Sequence, residues 1–211
     1  MIVTIQRELG AGGLSMGEAL AADIDASLLS ERTIIDSLCA RGGFSADYLQ
    51  KIDERPPSPT STFMADLARA SALVQAMEFR SAEHMVLDEI RTLVLEAATK
   101  GNVVVVGHGG PQLLAGAVPA QDVFSILLHA HRDWRIAQVQ KRFGLSAEDA
   151  HERVRRTDDL RKKYLQHFFS ADMYDARAYD LVLDTERIGL DAAIEIARSA
   201  LRATMHPRIA K

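Results

Sequence analysis

Four consecutive valines, Val103–Val106, lie between the turn-forming residues Lys100-Gly101-Asn102 and Gly107-His108-Gly109-Gly110. A strand with one wet face alternates apolar and polar residues. An unbroken apolar run must be covered on both faces, as in the centre of a parallel sheet. Three further stretches read as strands: the β-branched opening MIVTI, VFSILLH at Val123–His129, and the run from Tyr179 to Thr185. Ala26 to Leu29 is a weaker extended segment. The intervening sequence has helical spacing, so the pattern predicts an α/β chain with strands at 2–6, 103–106, 123–129 and 180–183. These would form a parallel β-sheet flanked by helices. At 211 residues the chain suits a single domain, 1–211, with one core.

Helix boundaries are marked locally. Ser30 precedes one helix, which Arg41-Gly42-Gly43 ends, and Gly144 closes another begun near Arg132. Ser146, followed by Glu148 and Asp149, starts a long charged helix. Residues 63–99 read as helical with a break near 78–81, and a last helix covers 189–204. Pro56, Pro57 and Pro59 make 52–62 an irregular crossing segment, either part of a lobe or a plain linker, and the tail at 205–211 reads as frayed.

Charge and cysteine usage narrow the function classes. A net charge of −4 argues against a general nucleic-acid binder while leaving room for a local basic site. No aliphatic run approaches the ~20 residues of a membrane span, and Met1-Ile2-Val3 enters a strand directly, leaving no room for a leader. Cys39 is alone, so neither an internal disulfide nor a cysteine-rich metal site is available. These features point to a cytoplasmic protein.

The opening strand runs through Gln6, Arg7 and Glu8 into Gly10-Ala11-Gly12-Gly13, after which a helix begins. Strand, glycine turn and helix aim backbone amides and a helix N-terminus at an anion. The pattern G-x-x-x-x-G-K-[ST] is not met: Arg7 stands at its first glycine and Gly13 at its lysine. The turn therefore reads either as a phosphate cradle or as a ligand-free β-to-α connection. His108 reads either as a ligand-site residue at a strand end or as a histidine satisfied by a neighbouring backbone group. Arg153, Arg155, Arg156, Arg161, Lys162 and Lys163 crowd one helix, either as a solvated face or as phosphate-facing donors.

Several stretches, in order, resemble the cytidylate kinase-like family of the nucleoside monophosphate kinase group. QRELGAGGLSMG is similar to S-R-E-[FY]-G-S-G-G-R-E-I-G, LLSERTIID to F-Y-D-R-E-I-I, and KIDERPP to L-D-E-R-P. KGNVVVVGHGG resembles G-N-C-V-I-V-G-R-G-A-D, and YDLVLDT resembles Y-D-L-V-[IL]-N-T. SAEDAHERVRRTDDLRKKYLQHFF is similar to the family's lid, with D-x-x-R-x-x-Y at Asp158, Arg161 and Tyr164. The resemblance implies a P-loop NTPase fold with an acceptor-binding lobe at about 30–100 and a lid at about 146–175. It implies ATP and Mg²⁺ as cofactors and phosphoryl transfer to a nucleoside monophosphate, most simply CMP or dCMP.

Carried over residue by residue, the resemblance assigns the donor phosphates to Gly10, Ala11, Gly12, Gly13, Leu14 and Ser15, with Arg132 and Arg135 beside the nucleotide. Arg7, Arg153, Arg156, Arg161 and Asp158 form the catalytic set, and Gly107, His108 and Gly109 the acceptor side. No metal ligand is assigned, and the oligomeric state is open. Leu14 and His108 both stand where the family carries arginine. If His108 works as an imidazolium, acceptor affinity rises between about pH 8 and 6. Two function classes follow: an ATP-dependent nucleotide kinase, or a catalytically weak nucleotide-binding regulatory module.

Overall fold

A computed structural model of the chain describes residues 1–41 and 79–205. The expected irregular segment at 52–62, the first part of the 63–99 helix, the KIDERPP stretch and all but the first residue of the 205–211 tail lie outside the described residues. Among the described residues the chain opens with β1 (Ile2–Arg7), α1 (Gly13–Asp23), β2 (Ala26–Leu29), α2 (Glu31–Ala40) and α3 (Phe79–Lys100). It continues with β3 (Asn102–Val106), α4 (Gly110–Leu114), β4 (Val123–His129), α5 (Arg132–Phe143) and α6 (Ala147–Phe169). It ends with β5 (Leu181–Asp184), α7 (Thr185–Ile188) and α8 (Leu190–Met205).

The described strands form one all-parallel sheet in the order β2-β3-β1-β4-β5. The valine run, Val103 to Val106, is 0–2% exposed, as its composition requires. Alternate residues of each strand enter different cores. Ile2, Val103, Val105 and Leu127 pack with α2, α3, α4 and Tyr164-Leu165 of α6 on one face. Val3, Ile5, Val104, Val106, Ile126 and Leu128 pack with Met16 and Leu20 of α1 and Ala193, Ala197 and Leu201 of α8 on the other. The sheet is thus buried on both sides.

The local start and stop signals act as their chemistry dictates. Ser30 caps α2 through a reciprocal box with Thr33, and the Ser146 hydroxyl accepts from Asp149 N–H at the start of α6. Gly144 ends α5 in the left-handed region, at φ 64°. The final helical stretch is split, because Gly189 at φ 77° interrupts it between α7 and α8.

Because all strands are parallel, their carboxyl ends share one edge. The β1–α1 and β3–α4 turns leave neighbouring strands there, where crevices open in sheets of this kind.

Candidate functional site

The β1–α1 turn is built by two glycines in backbone conformations that suit glycine. Gly10 has φ 89° and Gly12 φ 86°. Both are backed by protein: a Cβ on Gly10 would lie 2.7 Å from the Arg135 carbonyl oxygen, and one on Gly12 2.6 Å from Leu190 Cδ1. Gly12 is the N-cap of α1, with no side chain capping the helix, and Met16 is the residue whose N–H bonds back to Gly12 O, at 3.0 Å. The amides of Gly13, Leu14 and Ser15 therefore have no intrahelical acceptor. Ala11 behaves differently: its side chain is buried and its N–H donates to Glu8 O at 3.2 Å.

Arg7 lies beneath this turn. Its stem crosses Gly13 and its Nη1 reaches Gly107, where added Cβ atoms would stand 2.6 Å and 2.0 Å away respectively. Burial first, and then the neighbouring Arg161 guanidinium, push the Arg7 pKa down to about 9, with Glu31 pulling the other way. Arg161 is also lowered, chiefly by burial, against the pull of Glu31 and Asp158. Among the described residues neither guanidinium has a carboxylate within ion-pair distance. The result is a half-buried Arg7 beside a buried Arg161 at the mouth of the uncapped helix, a place suited to a multiply charged anion.

Helix α6 fastens both turns through three residues spaced by three. Asp158 Oδ1 accepts the Leu9 N–H at 2.9 Å. Arg161 Nη1 donates to Arg7 O at 3.1 Å, and Tyr164 Oη donates to His108 O at 3.2 Å. This spacing puts all three on one side of the helix.

A buried ionic knot stands beside them. Arg135 Nη1 donates to Asp158 Oδ2 at 2.5 Å and to Leu9 O at 3.1 Å. Its Nε contacts Ala130 O at 2.9 Å and Glu8 Oε2 at 3.2 Å. Glu8 in turn accepts from Ala130 N–H at 3.1 Å and from the Tyr174 hydroxyl at 2.7 Å. Each charge is offset by several hydrogen bonds, the condition under which buried ions are tolerated.

His108 occupies the β3–α4 turn at φ 57°, between Gly107 at φ 94° and Gly109 at φ 64°. A Cβ on Gly109 would lie 2.8 Å from Leu165 Cδ2, which keeps this turn tight against α6. The imidazole is buried, and burial, Arg7 and Arg161 together push its pKa down to about 3. A group so shifted is neutral at physiological pH, which runs against the condition, an imidazolium at His108, on which the rise in acceptor affinity between about pH 8 and 6 depends.

The site residues expected from sequence thus divide. Arg7, the 10–15 turn, Gly107–Gly109, Asp158 and Arg161 are brought together. Arg135 is close by, but its Nε and Nη1 are engaged within the buried knot. Arg153 lies over the Phe143 ring at 4.0 Å from its centroid, while Arg132 and Arg156 are exposed. Glu8, Glu31 and Tyr174 were not among the site residues named from sequence, and Tyr164 was named only as the last member of D-x-x-R-x-x-Y. The burial periodicity of α6 is the local signal that sorts its charges: Val154, Asp158, Arg161 and Leu165 share an inward face, and Arg155, Lys162 and Lys163 lie outside it.

A profile of the cytidylate kinase-like family matches residues 2–187. The chain belongs to the cytidylate kinase-like family. It is 25% identical over 211 residues to a cytidylate kinase of Pyrobaculum neutrophilum, covering 100% of this chain and 98% of that one. A cytidylate kinase of Thermococcus kodakarensis is 33% identical over 114 residues, 54% of this chain and 56% of that one. Among solved structures, an uncharacterised protein of Eubacterium ventriosum superposes with a TM-score of 0.66 at 16% identity, covering 96% of this chain and 99% of that one. That likeness supports the parallel sheet flanked by helices. Family membership gives the chain a nucleotide-kinase-like framework. No helix among the described residues is long and apolar enough to cross a membrane.

Proposed function

We propose that this protein transfers the γ-phosphoryl group of ATP to a nucleoside monophosphate, most simply CMP or dCMP, in the cytoplasm and without a nucleic-acid or membrane partner. The observation that carries this reading is the juxtaposition of the half-buried Arg7 and the buried Arg161 beneath the uncapped N-terminus of α1. Phosphoryl transfer needs positioning and charge stabilisation rather than a covalent helper, and such a cleft supplies both. In this reading the amides of Gly13–Ser15 hold donor phosphates, and Arg7 and Arg161 neutralise the charge around the transferring group. Gly107–Gly109 border the acceptor, where His108 offers a neutral donor or acceptor instead of a cation. Residues about 30–100 form the acceptor side and about 146–175 the lid, with Arg132, Arg153 and Arg156 reserved for the liganded form.

No cluster of three potential metal-binding side chains occurs among the described residues. Mg²⁺ binds mainly through phosphates and waters and needs only one or two protein oxygens. Ser15, the first hydroxyl of α1, and Glu31, whose carboxylate acts on both arginines, are the oxygens on offer. Bound there, the ion would neutralise charge on the donor phosphates.

A second reading, a catalytically weak nucleotide-binding module, is favoured by Leu14 and by the uncharged His108. Turnover of CMP, dCMP and UMP with ATP·Mg²⁺, measured beside thermal shifts for the same nucleotides, separates the two. The kinase reading expects CMP or dCMP to be turned over fastest. No turnover of any monophosphate, with ATP still raising the melting temperature, would leave only the binding module.

A further inference from the structure

Laid on G-x-x-x-x-G-K-[ST], the turn departs three times: Arg7 replaces the first glycine, Gly13 replaces the lysine that reaches the β- and γ-phosphates, and Leu14 replaces the hydroxyl residue. The structure joins the first two departures. Gly13 is the first residue of α1 and, unlike Gly10 and Gly12, has no positive φ, so its backbone makes no demand for glycine. Its surroundings do. A Cβ there would lie 2.6 Å from Arg7 Cγ, 3.0 Å from Arg7 Cβ and 3.1 Å from Arg7 Cδ. The arginine stem therefore lies along the side of Gly13 from which a side chain would leave. Its head continues to Gly107, which also has no side chain to obstruct it.

We infer that Arg7 is the phosphate-loop cation of this protein: the glycine and the long cation have changed places, with the charge rising from the strand rather than from the helix. The inference rests on the reading of the turn as a polyphosphate site and assigns the residue that completes it. Arg161 then has a defined part. Its hydrogen bond to Arg7 O holds the residue that carries the cation, and its own charge prevents the two guanidiniums from being satisfied by one another. A planar guanidinium also presents a fork of donors where lysine presents a point charge, which suits two adjacent phosphate oxygens. Gly13 is, on this account, the cost-free gap that the exchange requires, and a residue with any side chain would displace the cation.

The test is a double-mutant cycle on Arg7→Ala and Gly13→Ala, read by melting temperature without ligand and by calorimetric binding of inorganic tripolyphosphate and ATP. Arg7→Ala should weaken tripolyphosphate about 10- to 100-fold, the loss expected for charge-assisted hydrogen bonds. Gly13→Ala in the wild-type background should lower both stability and affinity, because the methyl group meets the arginine stem. In the Arg7→Ala background the same substitution should raise the melting temperature by about 2 °C, since alanine is the better helix former. The exchange variant Arg7→Gly/Gly13→Lys should return tripolyphosphate binding to within about tenfold of wild type. Arg7→Gln, which keeps bulk and donors but removes charge, guards against a folding defect and should reproduce the loss of Arg7→Ala. Wild-type affinity in Arg7→Gln, or an equal cost of Gly13→Ala in both backgrounds, would overturn the inference while leaving the function standing. A wild-type protein that binds neither tripolyphosphate nor ATP would overturn both.

Discussion

His108 shows how far a single side chain can be read from its type alone. A histidine at a strand end suggests a group that titrates near neutrality. Here burial between two arginines holds it neutral, with a pKa pushed down to about 3. The sign of the consequence is fixed. A histidine whose folded pKa lies below its unfolded value of about 6.5 contributes full stability above that pH and loses it as the pH falls. The loss approaches about 1.4 kcal/mol per pH unit below 6.5 for this one group. Asparagine tolerates the left-handed conformation at φ 57° and does not titrate, so His108→Asn is the matched control. Urea unfolding at pH 7.5, 6.5 and 5.5 should show wild type losing more stability than His108→Asn; parallel curves would show that His108 titrates normally. The same neutrality predicts no His108-dependent gain in acceptor affinity on acidification. Gly10 and Gly12 were legible as turn residues because their requirement is backbone geometry. Gly13 was not, because its requirement is the neighbour lying across it.

Among the elements, α6 departs most from what its sequence suggests. Its run of basic residues reads as a charged lid, yet the inward face carries an acid, a base and a phenol, each bonded to main-chain atoms of a site turn. Asp158 has the strongest hold, joining Leu9 N–H and Arg135 in a buried position. Asp158→Ala leaves the Arg135 charge short of a partner and should cost about 3–5 kcal/mol. Tyr164→Phe gives up one neutral hydrogen bond and should cost about 1 kcal/mol. Urea-unfolding free energies for the two variants check the order, and an Asp158→Ala value under that of Tyr164→Phe would deny Asp158 its place as the main fastening. The strands and helix ends were readable because periodicity, glycine and capping hydroxyls act over a few residues. The fastening was not, since Leu9 and Asp158 are 149 positions apart and nothing local marks them as partners. The ionic partners of Arg135 were hidden in the same way: Glu8 and Asp158, which surround it, come from elsewhere in the chain.

At the scale of the molecule, the central position of β1 gathers everything needed for the site around the first few residues of the chain. ATP binding should therefore be felt as one event across distant segments. Hydrogen exchange with and without ATP·Mg²⁺ should show added protection at residues 7–16 together with 158–164, and little change in the distal half of α8. Protection confined to the first segment would mean that α6 does not share in holding the ligand. The order β2-β3-β1-β4-β5 also has a consequence for how the chain is made. β1 leaves the ribosome well before its two neighbours, which begin only at Asn102 and Val123, and before the helix that fastens its turn, which begins at Ala147. Long-range parallel pairing of this kind is slow, since the intervening chain must close as a loop before the contacts reward it. A nascent chain would thus carry β1 unpaired, with no place for a phosphate, while the residues between it and its neighbours are made. Nucleotide binding would appear only once residues 158–164 have been made, so Arg7 and its turn would acquire their purpose long after they are translated.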